Sequence, residues 1–374
     1  MTHLLECATP VSLGYFMPAE WEPHSHTWLA WPHNTKTWGK GDLLEVEQAY
    51  LEIVRNLIQG ERINILVNDS HAKNEACIKL HREGISTNHI RFHTIPTNDA
   101  WIRDFGPNFL ARKSSFGRQI AANRWRFDSW GKKYPWEKDD AAKREIIREV
   151  GLPWFDPNSV LEGGAIEVNG KGTCLTTLNC LLNPNRNRGK SREEMEKYLK
   201  DYLGVLNVIW LKGTLQGDDT DGHIDNLARF VNPTTILCAQ ESNPDDENHQ
   251  NLKSLFESLE EAVDQDGNRF TVIPLPMPGI VKSNNLRFPA SYANFYIGNC
   301  AVLYPSYDHS NDQIAENLLK KYFPTRQIVA IPSRALIKGQ GGVHCITQQQ
   351  PENGPSDSFP SNPRKHEDNR TIHS

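Results

Sequence analysis

The sequence predicts an α/β protein. Amphipathic helical stretches alternate with short apolar, β-branched runs along most of the chain. Paired apolar runs recur between helices, and no G-x-G-x-x-G follows the first of them, which argues for repeated mixed units over one doubly wound parallel sheet. Four loop-like segments rich in Gly, Pro, acid, His or Cys punctuate the series at near-regular intervals.

Six stretches read as helices. In "GDLLEVEQAYLEIVRNLIQG" the residues Leu43, Val46, Tyr50, Val54 and Leu57 recur at helical spacing, and Gly60 is a stop signal. The others are "SHAKNEACIKLHREG" from Ser70, "DDAAKREIIREVG" from Asp139, "SREEMEKYLKDYLG" from Ser191, "ENHQNLKSLFESLEEAVDQDG" from Glu247 and "NDQIAENLLKKYF" from Asn311. Ser70 and Ser191 stand at expected N-caps, and Glu194 completes a capping box with Ser191. The predicted strands are "INILVND", "IRFHTIP", "GTCLTTLNCLL", "NVIWLKG", "TTILCAQ", "FTVIPLPMP", "NFYIGNCAVLYP" and "RQIVAIP". Residues 1–351 are expected to form one catalytic α/β domain, and the polar Pro/Ser/Asn-rich stretch 352–374 a disordered tail.

Composition narrows the function. The chain has 374 residues, 38% of them apolar and ten of them tryptophan, enough for a sizeable core. The net charge of -5 argues against a general nucleic-acid binder. No run of about 18 apolar residues predicts a membrane span. The N-terminus lacks the basic start and apolar stretch of a secretory signal. Seven irregularly spaced cysteines without a CxxC pair fit a reducing cytosol, so a cytoplasmic location is expected and Asn369-Arg-Thr carries no weight as a glycosylation acceptor.

The four punctuating segments are "NDAWIRDFGP", "LEGGAIEVNGKGT", "GDDTDGHIDN" and "GQGGVHCITQQQP". Asp104 and Glu162 are 58 residues apart, Glu162 and His223 61, and His223 and Cys345 122, twice 61. One segment per repeated unit, with a silent unit near Asn284, gives five units round a centre, as in propeller-like folds.

A cysteine nucleophile needs a thiolate, and an imidazole is the usual means of moving its proton. His344 is adjacent to Cys345 and in a strand would face the other way, so His223 is the better partner. Asp225, two residues past His223, would share its face of a strand. Carboxylates can hold a planar guanidinium through paired hydrogen bonds. Asp104, Asp225 and Glu162 are therefore candidates to hold a cationic substrate while Cys345 attacks its central carbon. Each residue also has a bland reading. Cys345 alone could be a buried thiol, "GDDTDGHID" a solvated turn or the start of a calcium loop, and "WIRD" a structural ion pair. His223 with Asp219 and Asp225 could ligate a divalent metal, although no second His has a metal spacing. Trp101 and Trp125 could be core, and Cys174, Cys180, Cys238 and Cys300, in apolar strands, are assigned to the core.

Taken together, "MPAEWEPHSHTWLAWP", "NDAWIRDFGP", "LEGGAIEVNGKGT", "LLNPNRN", "GDDTDGHIDNLARF", "PASYANFYI" and "HCITQQQP" closely resemble the agmatine deiminase family of guanidino-group-modifying enzymes. The bacterial peptidyl-arginine deiminase branch shares much of this pattern. The resemblance implies an α/β propeller of five ββαβ-type units around a pseudo-fivefold axis. It implies hydrolysis of a guanidine to a urea with release of ammonia, without metal or organic cofactor. For agmatine, a small-molecule guanidino substrate, the product would be N-carbamoylputrescine, a step in putrescine synthesis.

Residue by residue, it makes Cys345 the nucleophile of a covalent amidino-cysteine intermediate and His223 the general acid/base. Asp104 and Asp225 become the carboxylates on the guanidinium, Glu162 the acid that orients the histidine, Trp101 a pocket wall and Asp219 the partner of an amine tail. Related enzymes are often homo-oligomers, which carries over as an expectation. The chain departs from the family in having Leu178 and Asn179 where an acid is common, and Gln340 within the glycine run. Deimination of peptidyl-arginine or free arginine, amidino transfer to an amine and non-catalytic cation binding are the alternatives. The acids of "GDDTDGHID" favour agmatine, because free arginine would need a cation such as Arg103, Arg124 or Arg287 for its carboxylate.

Overall fold

The structure, a computed structural model, describes residues 8–115 and 117–354. Most of the expected tail, with Asn369, lies outside the described residues.

Five sheets repeat one pattern: an antiparallel pair, then a helix, then a strand parallel to the second member of the pair. In the first sheet Gln348–Pro351 pairs antiparallel with His24–Ala30, and the helix Lys40–Leu57 leads to the parallel strand Arg62–Val67. A second helix, Ser70–Arg82, adds Ile90–Thr94 to that sheet. The second sheet pairs Asn108–Ser114 with Gly117–Asn123 and continues through Glu137–Val150 to Trp154–Phe155. The third pairs Ile166–Val168 with Thr173–Thr177 and reaches Asn207–Leu211 through Arg192–Leu203. The fourth pairs Ala228–Asn232 with Thr235–Gln240 and reaches Thr271–Pro276 through His249–Glu261. The fifth pairs Tyr296–Ile297 with Ala301–Ser306 and reaches Gln327–Pro332 through Asn311–Tyr322. The first sheet thus joins the two ends of the described chain.

All six predicted helices are present. Ser191 caps Arg192–Leu203 with the expected capping box to Glu194. At Ser70–Arg82 the cap is instead Asp69, whose carboxylate accepts from the Ala72 N–H. The run "GTCLTTLNCLL" is a strand only to Thr177. There the Thr177 hydroxyl accepts from the Cys180 N–H and opens a helical turn, Leu178–Leu181. "NFYIGNCAVLYP" is two strands of a hairpin, and its Cys300 is exposed at the bend rather than buried in a strand.

The helices lay their apolar faces on the sheets. Val46, Tyr50, Val54 and Leu57 are fully buried, as are Met195, Leu199 and Leu203. Trp125 is core, as one of its readings had it. Among the described residues no helix is long and apolar enough to cross a membrane.

Candidate functional site

A short turn or loop leads into the first strand of each of these five sheets, and these five segments carry the candidate chemistry. Asp104 lies four residues before Asn108–Ser114, and Glu162 four before Ile166–Val168. His223 and Asp225 precede Ala228–Asn232, Asn294 precedes Tyr296–Ile297, and Cys345 precedes Gln348–Pro351. The unit read as silent near Asn284 therefore does contribute, ten residues further along. The Asn294 amide donates to Cys345 Sγ at 3.3 Å, and its carbonyl accepts the His344 N–H at 2.9 Å. "PASYANFYI" carried this residue, but an amide between aromatics gives no chemical signal of its own.

The cluster is almost dry. Asp104, Glu162, His223, Asp225 and Cys345 are all buried. His223 and Asp225 sit in a 3-10 turn rather than a strand, so they meet by turn geometry and not by sharing a sheet face. His223 Nδ1 is 3.7 Å from Asp104 Oδ1, and Cys345 Sγ is 4.0 Å from Asp225 Oδ2. Asp104 accepts the Gly164 N–H on Oδ1 and the Trp130 indole N–H on Oδ2, both at 2.9 Å. Two buried polar atoms of the cluster have no partner among the described residues: Asp225 Oδ1 and His223 Nε2.

Gly164 explains the "GG" after Glu162. A Cβ there would lie 2.6 Å from His223 Nδ1 and 2.9 Å from both Asp104 Oδ1 and Asp225 Oδ2. At Gly163 a Cβ would stand 2.1 Å from the Arg103 carbonyl oxygen. The two glycines let the second and third segments close together.

Glu162 does not hydrogen-bond His223. Its Oε1 accepts from Arg186 Nε at 2.6 Å, and its Oε2 faces the Cys180 thiol at 3.9 Å. Cys180, assigned to the core from sequence, is thus part of the site's second layer. Glu162, Cys180 and His223 bring ligand-type atoms within 4.8 Å of one another. A divalent ion there would sit against the Arg186 guanidinium, and burial pushes the Cys180 thiol up, with Glu162 adding to it. The trio reads as support for the imidazole rather than as a metal cage.

The charges are tuned by burial and by each other. Burial alone would lower His223, but Asp104, Cys180 and Asp225 overcome it and hold the imidazolium well above its usual range. Burial raises Asp104, opposed by His223 and reinforced by Asp225 and Glu162. Asp225 is held below its usual range despite burial, by the His344 hydrogen bond and the His344, His223 and Arg229 charges. Burial pushes the Cys345 thiol well up, with Asp225 and Asp104 adding to it. The free thiol is therefore neutral, and a cation between the two aspartates would reverse the sign of that field.

The cluster opens into a pocket of roughly 500 Å³ whose wall includes Trp101, Trp130, Tyr134, Asp219 and Gln340. Trp101 packs on Trp38 with ring centroids 5.2 Å apart and is pressed by Gly341, where a Cβ would approach its ring to 2.3 Å. Asp219 Oδ2 accepts from the Tyr134 hydroxyl at 2.7 Å. The Gln340 amide oxygen has no partner among the described residues. Of the four aspartates in "GDDTDGHID", two are structural. Asp218 accepts from the Thr220 and Gly222 N–H groups, and Asp221 pairs with Arg186 and Lys133.

None of the three arginines considered for a substrate carboxylate lines the pocket. Arg103 is spent on Glu20 and Gln349, Arg124 on Asp156 and Arg287 on Asp246. Lys36 and Lys338 do reach the pocket wall, and Lys338 is paired with Asp42. Sequence reasoning missed Glu20, Trp130, Tyr134, Arg186 and Asn294, and the part played by His344.

Cys, His and paired carboxylates around a cation-sized gap define a guanidine-modifying class of site. The chain belongs to the Porphyromonas-type peptidyl-arginine deiminase family, which it matches over residues 16–351. It is 35% identical over 368 aligned positions to the agmatine deiminase of Pseudomonas aeruginosa (92% of this chain, 97% of that one). It is 37% identical over 347 positions to a protein described as a putative agmatine deiminase in Legionella pneumophila, with the same coverage. Its mixed α/β fold matches the structure of the Enterococcus faecalis agmatine deiminase with a TM-score of 0.87 at 29% identity, covering 94% of this chain and all (100%) of that one. A Cys-to-Ser agmatine deiminase from C. jejuni with substrate bound matches with a TM-score of 0.82, also at 29% identity, covering 91% of this chain and 97% of that one.

Proposed function

We propose that this chain is an agmatine deiminase, hydrolysing agmatine to N-carbamoylputrescine and ammonia. The observation that carries the reading is the convergence of Cys345, His223, Asp104 and Asp225 around Gly164 in one buried cluster. Residues 1–351 form one catalytic domain in this reading, its five sheets standing round a pseudo-fivefold axis with the site on it. The repeated sheet order and the placement of one segment ahead of each sheet support that arrangement. A cytoplasmic, homo-oligomeric enzyme acting on a small molecule completes the reading.

The guanidinium lies between Asp104 and Asp225, over Gly164. Its charge offsets the field that keeps Cys345 protonated, so substrate binding favours the thiolate, whose proton leaves to solvent. Sγ forms a bond to the guanidinium carbon. One C–N bond then breaks, and His223 gives its proton to the departing ammonia. His223 next takes a proton from water, whose oxygen bonds to the same carbon. The C–S bond breaks, the protonated urea returns a proton to the sulfur and leaves, and the thiol is restored. Glu162 acts at one remove in this scheme: its charge, fixed by Arg186, stands behind the imidazole.

The other end of the pocket supports agmatine over arginine. Asp219 and the Gln340 oxygen can accept hydrogen bonds from an ammonium tail, and no arginine is free there to meet a carboxylate. Ammonia release from agmatine, arginine and a peptide with C-terminal arginine, with Cys345→Ala as control, tests the reading. Turnover of agmatine above the other two, lost in the variant, is expected. Preferred turnover of a peptide would assign the substrate elsewhere in the family, and activity retained by Cys345→Ala would overturn the nucleophile.

A further inference from the structure

The mechanism above uses Asp225 but does not explain why that buried carboxylate stays charged and correctly turned. The answer lies in what holds Asp225 Oδ2. His344 Nδ1 is 2.8 Å from Asp225 Oδ2, and His344 Nε2 is 2.7 Å from Glu20 Oε2. A carboxylate oxygen can only accept. Two ionised carboxylates flanking one ring therefore call for a hydrogen on each nitrogen.

Glu20 is itself fully engaged. Its Oε2 also meets Arg103 Nη2 at 3.2 Å, and its Oε1 accepts from Arg229 Nη2 at 3.0 Å and from the Ile297 N–H at 2.8 Å. Arg229 Nε in turn donates to Glu167 at 2.9 Å. Glu20, Asp225 and Glu167 balance His344, Arg103 and Arg229, and all six are buried. An unbalanced charge in such a place would be costly, whereas this set is paired throughout. Asp225 Oδ2, the oxygen held by His344, is also the one 4.0 Å from Cys345 Sγ, while Oδ1 has no partner among the described residues.

We propose that His344 is the positioning residue of the guanidinium clamp: an imidazole with a hydrogen on each nitrogen, anchored by Glu20, that fixes Asp225 Oδ2 beside Cys345 and so sets the turn of the whole carboxylate. It stands next to Cys345 in the chain, and its ring meets Asp225 and Glu20. Its function is electrostatic support, not proton transfer to sulfur. The inference rests on the deiminase reading for the identity of the substrate, and on distances alone for the state of the ring.

The two parts are tested separately. In the substrate-free enzyme labelled with ¹⁵N-histidine, the His344 ring, assigned by its loss in His344→Asn, is expected to show hydrogens on both nitrogens at neutral pH. One bare nitrogen would overturn the proposal. In kinetics on agmatine, His344→Asn is expected to raise KM by about tenfold or more, the loss of one charge-assisted contact to Asp225, with a smaller change in kcat. A merely structural role would instead reduce the active fraction, lowering kcat with KM unchanged, and that result would overturn the proposal. If His344→Asn fails to fold, Glu20→Gln carries the kinetic test with the same expected direction. Should the wild type not turn over agmatine at all, the functional reading falls, while the ring spectrum still decides the state of His344.

Discussion

Gly164→Ala adds one methyl group at the centre of the cluster. The new Cβ would stand 2.6 Å from His223 Nδ1 and 2.9 Å from the facing oxygens of Asp104 and Asp225. Carbon and such atoms normally keep more than 3 Å apart, so the three groups must retreat by several tenths of an ångström each. They are side-chain ends, which can yield, so the fold should tolerate the change at the 1–3 kcal/mol or so typical of overpacking. Function should not. Displacements approaching 1 Å at reacting groups cost roughly 10²-fold in rate, or about 2.7 kcal/mol of barrier. We expect kcat/KM for agmatine to fall by about tenfold to 10²-fold, in keeping with shifts of several tenths of an ångström, while the thermal transition moves by a few degrees at most. Gly163→Ala supplies the contrast. Its Cβ would meet the Arg103 backbone carbonyl at 2.1 Å, which cannot swing aside, so the damage should appear as lost stability. The assay is ammonia release beside a thermal melt for both variants. Gly164→Ala with near wild-type turnover would refute the claim that the guanidinium is held over this residue.

Asp219→Asn should raise KM for agmatine about tenfold, yet leave KM for an alkylguanidine without the terminal amine unchanged; steady-state kinetics on the pair checks it. Arg186→Met strands Glu162 as a buried unpaired charge and should destabilise the protein by about 3–5 kcal/mol in urea unfolding. The folded-state pKa of His223 is raised above its unfolded value near 6.5, so its contribution to stability is fully present below about pH 6.5 and lost as pH rises through the raised value. The melting-temperature gap between wild type and His223→Asn should accordingly be widest near pH 6 and narrow as the pH climbs; a gap independent of pH would contradict the raised value.

What could be read from sequence was whatever repeats locally. Helices carry their own period, and the capping box at Ser191 is complete within four residues. The punctuating segments stand out because Gly, acid, His and Cys seldom gather in a core. Contacts between distant segments left no such mark. His344 was judged by its neighbour in the chain, but its partners Glu20 and Asp225 lie 324 and 119 residues away. Asp225 was given a strand neighbour's geometry, whereas a 3-10 turn sets its position. Cys180 looked like core because it follows an apolar strand. Thr177 ends that strand early through its own side chain and turns the thiol towards His223. The acidic loop overstated its own chemistry, since Asp218 and Asp221 are used up in holding its shape.

The sheet that joins the first and last described strands makes the order of synthesis matter. His24–Ala30 is made early, but its antiparallel neighbour Gln348–Pro351 emerges more than 300 residues later. Until then one edge of that sheet is open, and the indole N–H of Trp28 lacks the Gln350 oxygen that it meets at 2.9 Å. The thiol proposed to attack the substrate lies three residues before that closing strand. A growing chain on the ribosome therefore carries its acids and its imidazole long before it can react, and the final strand both seals the sheet and arms the site.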